Sequence, residues 1–418
     1  MTPSRDDRIF YGWYIAGFGL FANFMAIGTS YYIMNAFMEP LCQARGWTRT
    51  DLNVALILGM LSGFISQLLY GTIVMRTGPR ILMVIGSLAG GLSCILLGRT
   101  DALWQFYLLY ILLHAGSMAY GGIVTNTAVN NWFIKKRGRA MGLAAIGISF
   151  SGAVLPLLAM ELVIYTDIAT AFLILGLIVL AVGPLAWLIV KDWPETYGLE
   201  PDGEPSGKGP APEPPIPALG QGYHPGAIWT LPELVRTGAF WKVGIAFALM
   251  LTGVGGVMAQ LKPRFADIGF SDMSAMLMLS LTAFSGAVAK YIWGMLCDRF
   301  EPKKVVAVIM LMTALGLGLA LFKGSMAALL AFSLIFGFAM GGAMSVFPII
   351  TAALFGRASF AAVFRFLSLF LILQLTGFII MGRSYDLLGS YDPAFGLFIV
   401  LDLAAAFMIL TVKRPEPR

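Results

Sequence analysis

The chain has 418 residues, of which 58% are hydrophobic and only 12% charged, and its mean hydropathy is +0.82. Soluble domains carry about 25% charged residues, so this composition excludes a soluble globular protein and indicates a helical protein with many membrane spans. The net charge of +6 comes from lysines and arginines at span ends, so it does not indicate a nucleic-acid partner. The three cysteines are scattered and indicate no disulfide framework.

Twelve apolar runs are long enough to cross about 30 Å of hydrocarbon, a distance that takes about 20 helical residues. The predicted spans are residues 10–36, 53–75, 81–98, 103–131, 139–160, 168–190, 240–261, 273–297, 304–322, 325–353, 361–382 and 391–412. No small-residue cleavage site follows the charged first residues, so we expect the first span to act as its own targeting signal.

A polar interruption divides these spans into six and six. From Gly209 to Pro215 the chain reads GPAPEPP, which is typical of a flexible linker. Near its end, Thr230 and Glu233 have the spacing of a capping box that opens a short helix. We therefore expect an N-terminal six-helix bundle at 1–190, a cytoplasmic linker with a short surface helix at 191–239 and a C-terminal six-helix bundle at 240–418.

The distribution of basic residues predicts the orientation, because cytoplasmic loops carry an excess of lysine and arginine. With both termini in the cytoplasm, the inner side holds 20 of the 28 basic residues and the outer side 7, which leaves Lys290 inside a span. We expect a multi-pass protein of the bacterial inner membrane, surrounded by lipid bilayer and monomeric.

A short motif follows the second span of each half. Residues 71–80 read GTIVMRTGPR, and residues 294–304 read GMLCDRFEPKK. The small glycine lets two spans approach closely, and the charges are suited to pairing with a helix end across the loop. Met75 stands where the second copy has an aspartate, so the contact between the N-terminal copy and a helix end should be weaker. The predicted gating motif consists of Gly71, Arg76, Arg80, Gly294, Asp298 and Arg299.

Two parallel six-span repeats joined by a central loop resemble the major facilitator transporters. Three stretches narrow the resemblance: FYGWY at 10–14, NWFIKKRGRAMGLAAIG at 131–147 and ELVRTGAFW at 233–241. Together they look like the monocarboxylate porter group, which includes proton-coupled lactate and pyruvate carriers and oxalate/formate exchangers. The resemblance implies an all-α membrane protein with twelve transmembrane helices in two six-helix pseudo-repeats, the major facilitator fold.

Lys290 lies deep in the eighth predicted span, with apolar neighbours for about two turns upstream. A lone ammonium at this depth costs on the order of 2.5–3.5 kcal/mol on insertion scales, so it usually faces a cavity and binds an anion or moves a charge. The alternative is a lysine that snorkels to the headgroups. In the group that the chain resembles, the eighth span carries a cation, usually arginine, that holds the substrate carboxylate, and Lys290 matches that position. Lysine lacks the bidentate fork of arginine.

Two departures from the resembled group bear on the substrate. Animal lactate carriers place an aspartate four residues before the cation, where this chain has Gly286. Oxalate/formate exchangers carry a second cation in the eleventh span, whereas residues 366–381 contain none. One cation favours one carboxylate, so the pattern favours monocarboxylates.

Several other polar residues lie within apolar spans, and each has a functional and a structural interpretation. His114 titrates near neutrality and is a candidate proton carrier, or else a packing residue. Tyr120 offers a hydroxyl to a carboxylate, or simply packs. Asn126 and Asn130 are one turn apart and either line the cavity or join helices. The same choice between substrate binding and helix-to-helix hydrogen bonding applies to Tyr31, Ser149, Gln260 and Gln374.

The sequence thus predicts a secondary carrier of small monocarboxylates of the lactate and pyruvate type, working by proton symport and alternating access. Lys290 would bind the carboxylate, and the proton would travel on Lys290 or His114. The hypothesis assumes one buried cation and no buried acid. A carboxylate anion exchanger is the alternative, and a membrane sensor derived from a carrier is less favoured. The chain lacks a G-K-[ST] phosphate loop and an H-E-x-x-H motif, so we expect no enzyme, cofactor or metal site.

Overall fold

The computed structural model describes residues 9–203 and 229–415, except for seven side chains: Asn35, Ala259, Lys262, Ala266, Asp272, Met273 and Met276. The proline-rich part of the linker and the first eight residues lie outside these ranges. The described chain is helical and contains no strand. Its helices are α1 (Gly12–Ile27), α2 (Met34–Arg45), α3 (Arg49–Leu97), α4 (Leu103–Tyr120), α5 (Gly122–Trp132), α6 (Arg137–Tyr165), α7 (Ile168–Ile189), α8 (Leu231–Val235), α9 (Gly238–Asp267), α10 (Asp272–Arg299), α11 (Pro302–Ala320), α12 (Met326–Phe355), α13 (Phe360–Leu367), α14 (Leu375–Leu388) and α15 (Asp392–Leu410).

Within the described ranges, nine helical segments are long and apolar enough to cross a membrane. The longest, α3, has 49 residues and contains both the second and the third predicted span. The predicted all-α membrane architecture is therefore confirmed.

A sharp kink at Gly78 divides α3 between those two spans. The φ of Gly78 is 78°, in the left-handed region that favours glycine, and Pro79 follows it. A Cβ at Gly78 would lie 2.5 Å from Cγ of Asp192. Asp192 also accepts a hydrogen bond from the backbone amide of Arg80 at 3.0 Å. The kink is thereby fixed to the segment that follows α7.

Three of the spans predicted from the sequence are not regular α-helix throughout. A π-helical turn at Gly28–Tyr32 leads from α1 to α2, and a 3-10 segment at Ser368–Gln374 leads from α13 to α14. Between α4 and α5, Gly122 adopts a φ of 49°. The buried Asn23 accepts a hydrogen bond from the Gly122 amide at 3.1 Å and donates one to the carbonyl of Ala144 at 3.0 Å. Broken backbone inside a membrane protein requires such partners.

The two halves approach each other closely where α6 crosses α10. A Cβ on Gly138 would lie 1.9 Å from the carbonyl oxygen of Gly294, and one on Gly142 would lie 2.7 Å from that of Lys290. Membrane helices gain little from hydrophobic association, so small residues that allow backbone contact drive their packing. These glycines therefore place the backbone of Lys290 directly against α6.

Candidate functional site

Lys290 projects from α10 toward the other half of the molecule. Its Nζ donates a hydrogen bond to Oγ of Ser149 on α6 at 2.6 Å. Lys290 lies nine residues before the end of α10 and Ser149 twelve residues after the start of α6, so both are near the middle of their helices. The side chain therefore does not snorkel to the headgroups.

The ammonium group has a neutral partner but no counter-ion. Lys290 is 5% exposed, and no carboxylate in the described ranges lies within ion-pair distance of it. The sequence predicted a lysine open to a water-filled path, whereas this conformation leaves it nearly closed off from solvent. Ser149 beside it is only half-buried. A desolvated cation without a counter-ion attracts an anion strongly.

The position four residues before Lys290 packs closely against the neighbouring helix. Gly286 lies against α12, where a Cβ would be 3.0 Å from the carbonyl oxygen of Gly337. A Cβ on the neighbouring Gly341 would be 2.0 Å from the carbonyl oxygen of Gly286. A side chain at position 286 would therefore require α10 and α12 to move apart by a few tenths of an ångström.

The C-terminal copy of the predicted gating motif contacts the start of α6 at the inner end of the molecule. The inner end is defined here as the end that carries both motif copies. Oδ1 of Asp298 accepts a hydrogen bond from the amide of Gly138 at 2.5 Å. Oδ2 accepts from the amide of Arg139 at 3.0 Å and from its Nε at 3.1 Å. A carboxylate at the amino-terminal end of α6 also complements the helix dipole. The predicted pairing with a helix end is present here.

The N-terminal copy contacts the C-terminal half without a carboxylate. Gly71 lies against Arg365 of α13, since a Cβ on Gly71 would be 2.6 Å from Cβ of Arg365. The Arg365 guanidinium donates a hydrogen bond to the hydroxyl of Thr72. Arg80 donates to the carbonyl of Trp187 and stacks over its ring at 4.0 Å. Of the remaining motif cations, Arg76 and Arg299 are both exposed.

A third polar contact between the halves centres on Arg357, which sequence reasoning did not identify. Its guanidinium donates to Oε1 and Oε2 of Glu195 at 2.6 and 3.2 Å and also to the carbonyl of Asn131. The side chain of Asn130 donates to the carbonyl of Arg357 at 3.0 Å. Asn130 therefore joins the two halves, as its structural interpretation expected.

His114 and Tyr120 both lie in the interior of the N-terminal helices. His114 is 3% exposed, its ring is tilted against that of Tyr110 with the ring centres 4.9 Å apart, and it fills the space beside Gly59 of α3. Tyr120 is fully buried, with its hydroxyl 3.3 Å from that of Ser117. The structure does not bring either side chain into contact with Lys290.

The other predicted binding residues are spread along the molecule. Asn126 on α5 is half-buried, and Tyr31 is 44% exposed with its ring edge-on to Tyr32. Gln260 on α9 accepts a hydrogen bond from the hydroxyl of Tyr391 at 3.3 Å. Gln374 packs beside Gly255. Of the predicted binding residues, the structure brings only Ser149 into hydrogen-bond contact with Lys290.

The assumption that no acid is buried is wrong. Asp402 lies in the twelfth predicted span, on α15, with 0% exposure. Neither of its carboxylate oxygens has a hydrogen-bond partner among the described residues. Its position inside the apolar run FIVLDLAAAF was the signal that should have identified it. An intramembrane carboxyl group is by default a candidate for handling protons.

Comparison with known proteins agrees with this architecture. The family model described as Major Facilitator Superfamily matches residues 17–267 and 243–418. The chain is similar to the fold of the fucose transporter FucP in its outward conformation, with a TM-score of 0.74 and 15% identity over 95% of this chain and 99% of that one. It is also similar to the human organic anion transporter MFSD10, with a TM-score of 0.70 and 15% identity over 98% of this chain and 100% of that one.

Three individual proteins are similar to this chain in sequence. The oxalate:formate antiporter of Oxalobacter formigenes is 26% identical over 334 residues, which cover 78% of this chain and 74% of that protein. Monocarboxylate transporter 13 of Bos taurus is 26% identical over 345 residues, covering 80% and 74%. The membrane sensor protein UhpC of Salmonella typhimurium is 27% identical over 158 residues, covering 38% and 36%. The resemblance to the monocarboxylate and oxalate group is confirmed, and the chain belongs to the Major Facilitator Superfamily, whose members are transporters and not enzymes.

Proposed function

We propose that the protein is a secondary carrier of small monocarboxylates, of the lactate and pyruvate type, coupled to protons by symport. The observation that carries the proposal is the Lys290 ammonium, which lies between the two halves with a hydroxyl partner and has no counter-ion among the described residues. A monocarboxylate supplies the single negative charge that this site lacks. The relatives named as an oxalate:formate antiporter and a monocarboxylate transporter support an organic anion as substrate.

In this mechanism the substrate carboxylate binds Lys290 and takes the place of the Ser149 hydroxyl as a hydrogen-bond acceptor. Binding neutralises the ammonium, so the loaded site carries no net charge through the low-dielectric middle of the molecule. The coupled proton travels on Lys290 or on His114. The neutral site then permits one half to rock against the other.

The inner end has to separate for the substrate to leave toward the cytoplasm. Three sets of contacts join the halves there: Asp298 with the start of α6, Arg357 with Asn130 and Asn131, and Arg365 with Thr72. Each is a hydrogen-bonded or ionic contact that two rigid bodies can break and remake. We propose that these contacts form the inner gate and that the structure represents its closed state.

Anion exchange is the second candidate function. The antiporter relative favours it, because Lys290 would then keep its proton while one carboxylate replaces another. Counterflow that does not depend on pH would support exchange. A membrane sensor is the third candidate, supported by the partial similarity to UhpC, and it predicts binding without flux.

Uptake into proteoliposomes tests the proposal. Lactate or pyruvate added to wild-type vesicles should alkalinise the external medium, and Lys290→Gln should abolish this signal. Lys290→Arg should retain part of it, because the charge remains. Lys304→Gln, which removes an exposed cation paired with Glu301, serves as the control. Full alkalinisation by Lys290→Gln vesicles would overturn the role of Lys290.

A further inference from the structure

A cavity of about 630 Å³ lies at the inner end of the C-terminal half, distant in the fold from Lys290. It is bounded by α8, the first turn of α9 and the segment after α15. The residues that line it are Trp229, Glu233, Arg236, Thr237, Gly238, Ala239, Lys242, Thr411, Lys413, Arg414 and Pro415. The volume falls within the range of small-molecule binding sites in proteins.

Four of these lining side chains are cations and one is a carboxylate. The carboxylate, Glu233, accepts hydrogen bonds from the amide and the hydroxyl of Thr230, each at 2.8 Å. These bonds lower the pKa of Glu233, so it stays ionised and occupied in capping α8. No acidic side chain in residues 9–203 or 229–415 forms an ion pair with Arg236, Lys413 or Arg414. The cavity therefore has an excess of three positive charges.

One of the cations is held in place by the fold. Nζ of Lys242 donates hydrogen bonds to the carbonyl and hydroxyl oxygens of Thr411, at 3.2 and 3.0 Å. These bonds join the start of α9 to the end of α15 and keep one donor of the ammonium group available. A fixed cation loses less conformational freedom when it binds an anion than a mobile one does.

Aromatic side chains place the cavity near the membrane–water interface. Trp241, in the first turn of α9, is 45% exposed, and its indole nitrogen donates to the carbonyl of Val235 at 2.8 Å. Trp229 is buried and packs edge-on against Phe355. Tryptophan is enriched at the level of the headgroups. With the orientation that the basic residues favour, the cavity faces the cytoplasmic leaflet.

We propose that this cavity binds a phosphate group and that its physiological ligand is the headgroup of an anionic glycerophospholipid. Phosphate oxygens accept several charge-assisted hydrogen bonds at once, which matches converging arginine and lysine donors. Basic pockets on the cytoplasmic side of membrane proteins bind anionic headgroups for the same reason. The site lies outside the proposed substrate path, so its occupancy does not depend on which acid is carried.

A thermal-shift titration of the purified full-length protein in detergent tests this site. The probes are phosphatidylglycerol, zwitterionic phosphatidylcholine and inorganic phosphate. Phosphatidylglycerol should stabilise the wild-type protein. Lys242→Gln/Lys413→Gln should weaken its apparent affinity about 25-fold, at roughly fivefold for each charge removed. Arg299→Gln/Lys304→Gln removes two exposed charges from the same end outside the cavity and should leave the affinity unchanged.

The outcomes separate the possible ligands. A shift with phosphatidylglycerol but not with phosphatidylcholine supports the lipid headgroup. An equal shift with inorganic phosphate at the same concentration assigns the phosphate site to a soluble ligand and overturns the lipid assignment. Equal loss of affinity in the control variant would show a diffuse basic surface and overturn the site. If the double variant does not fold, Lys413→Gln alone, beyond the end of α15, gives the same test with a fivefold effect.

Discussion

The ammonium of Lys290 on α10 and the hydroxyl of Ser149 on α6 lie 2.6 Å apart and form a hydrogen bond between the two halves of the protein. The bond sits above a crossing at which Gly138 and Gly142 of α6 contact the backbone of α10. The proposed substrate site and the contact between the halves therefore share the same two helices. Any ligand that displaces Ser149 from Lys290 acts directly on the interface that has to move.

Replacing Ser149 tests whether this hydroxyl belongs to the binding site. Ser149→Ala removes the neutral partner of Lys290, and a hydrogen bond to a charged group contributes about 1.5 kcal/mol or more. Because the substrate carboxylate then no longer has to displace this hydroxyl from Lys290, we expect KM for lactate uptake to fall about tenfold, with a smaller change in kcat. Ser149→Thr keeps the hydroxyl and should retain most activity. Ser280→Ala, on the exposed side of α10, is the control, and an unchanged KM in Ser149→Ala would exclude the role.

From the close contact of Gly138 on α6 with Gly294 on α10, we expect that added bulk at Gly138 opens the inner end. Gly138→Ala places a Cβ 1.9 Å from the carbonyl oxygen of Gly294, so α6 and α10 have to separate. Spin labels at Ile134→Cys and Phe300→Cys, both exposed at the inner end, should report a longer distance. Gly318→Ala, with no atom within 4 Å of the added Cβ, should leave the distance unchanged. An unaltered distance in Gly138→Ala would contradict the assigned crossing.

We expect that removing the charge of Asp298 also opens the inner end. Asp298→Asn preserves the shape but removes the charge that accepts three hydrogen bonds at the start of α6. A hydrogen bond to a charged group contributes about 1.5–3 kcal/mol to the free energy of the closed state. The loss of that free energy is enough to shift the equilibrium between closed and open states by tenfold or more. The spin-labelled pair should then show a larger population at long distance. Asp386→Asn, at an exposed position, should leave the distance distribution unchanged.

We expect that replacing the buried Asp402 stabilises the protein. A fully buried carboxyl group without a hydrogen-bond partner is destabilising by about 1–3 kcal/mol. Asp402→Leu should therefore raise the melting temperature of the purified protein in detergent. Asp386→Leu, which changes an exposed aspartate, should have little effect. A lower melting temperature in Asp402→Leu would show that the carboxyl group stabilises the folded protein.

The sequence alone determined the large-scale organisation. Runs of about 20 apolar residues specify membrane helices because the bilayer offers no partner for backbone polar groups. The depth of Lys290 follows from its distance to either end of its span, and the structure keeps it away from the headgroups. The repeated motif predicted that its charges pair with a helix end, and Asp298 accepts hydrogen bonds at the start of α6.

Only the tertiary structure decided which faces of these helices meet. A membrane helix is apolar both where it contacts lipid and where it contacts protein, so hydrophobic periodicity does not distinguish the two faces. The pairing of Lys290 with Ser149, the Arg357–Glu195 ion pair and the burial of Asp402 all depend on that choice. Residues more than 100 positions apart come together through helix rotation and crossing, and nothing in the local sequence encodes those two quantities.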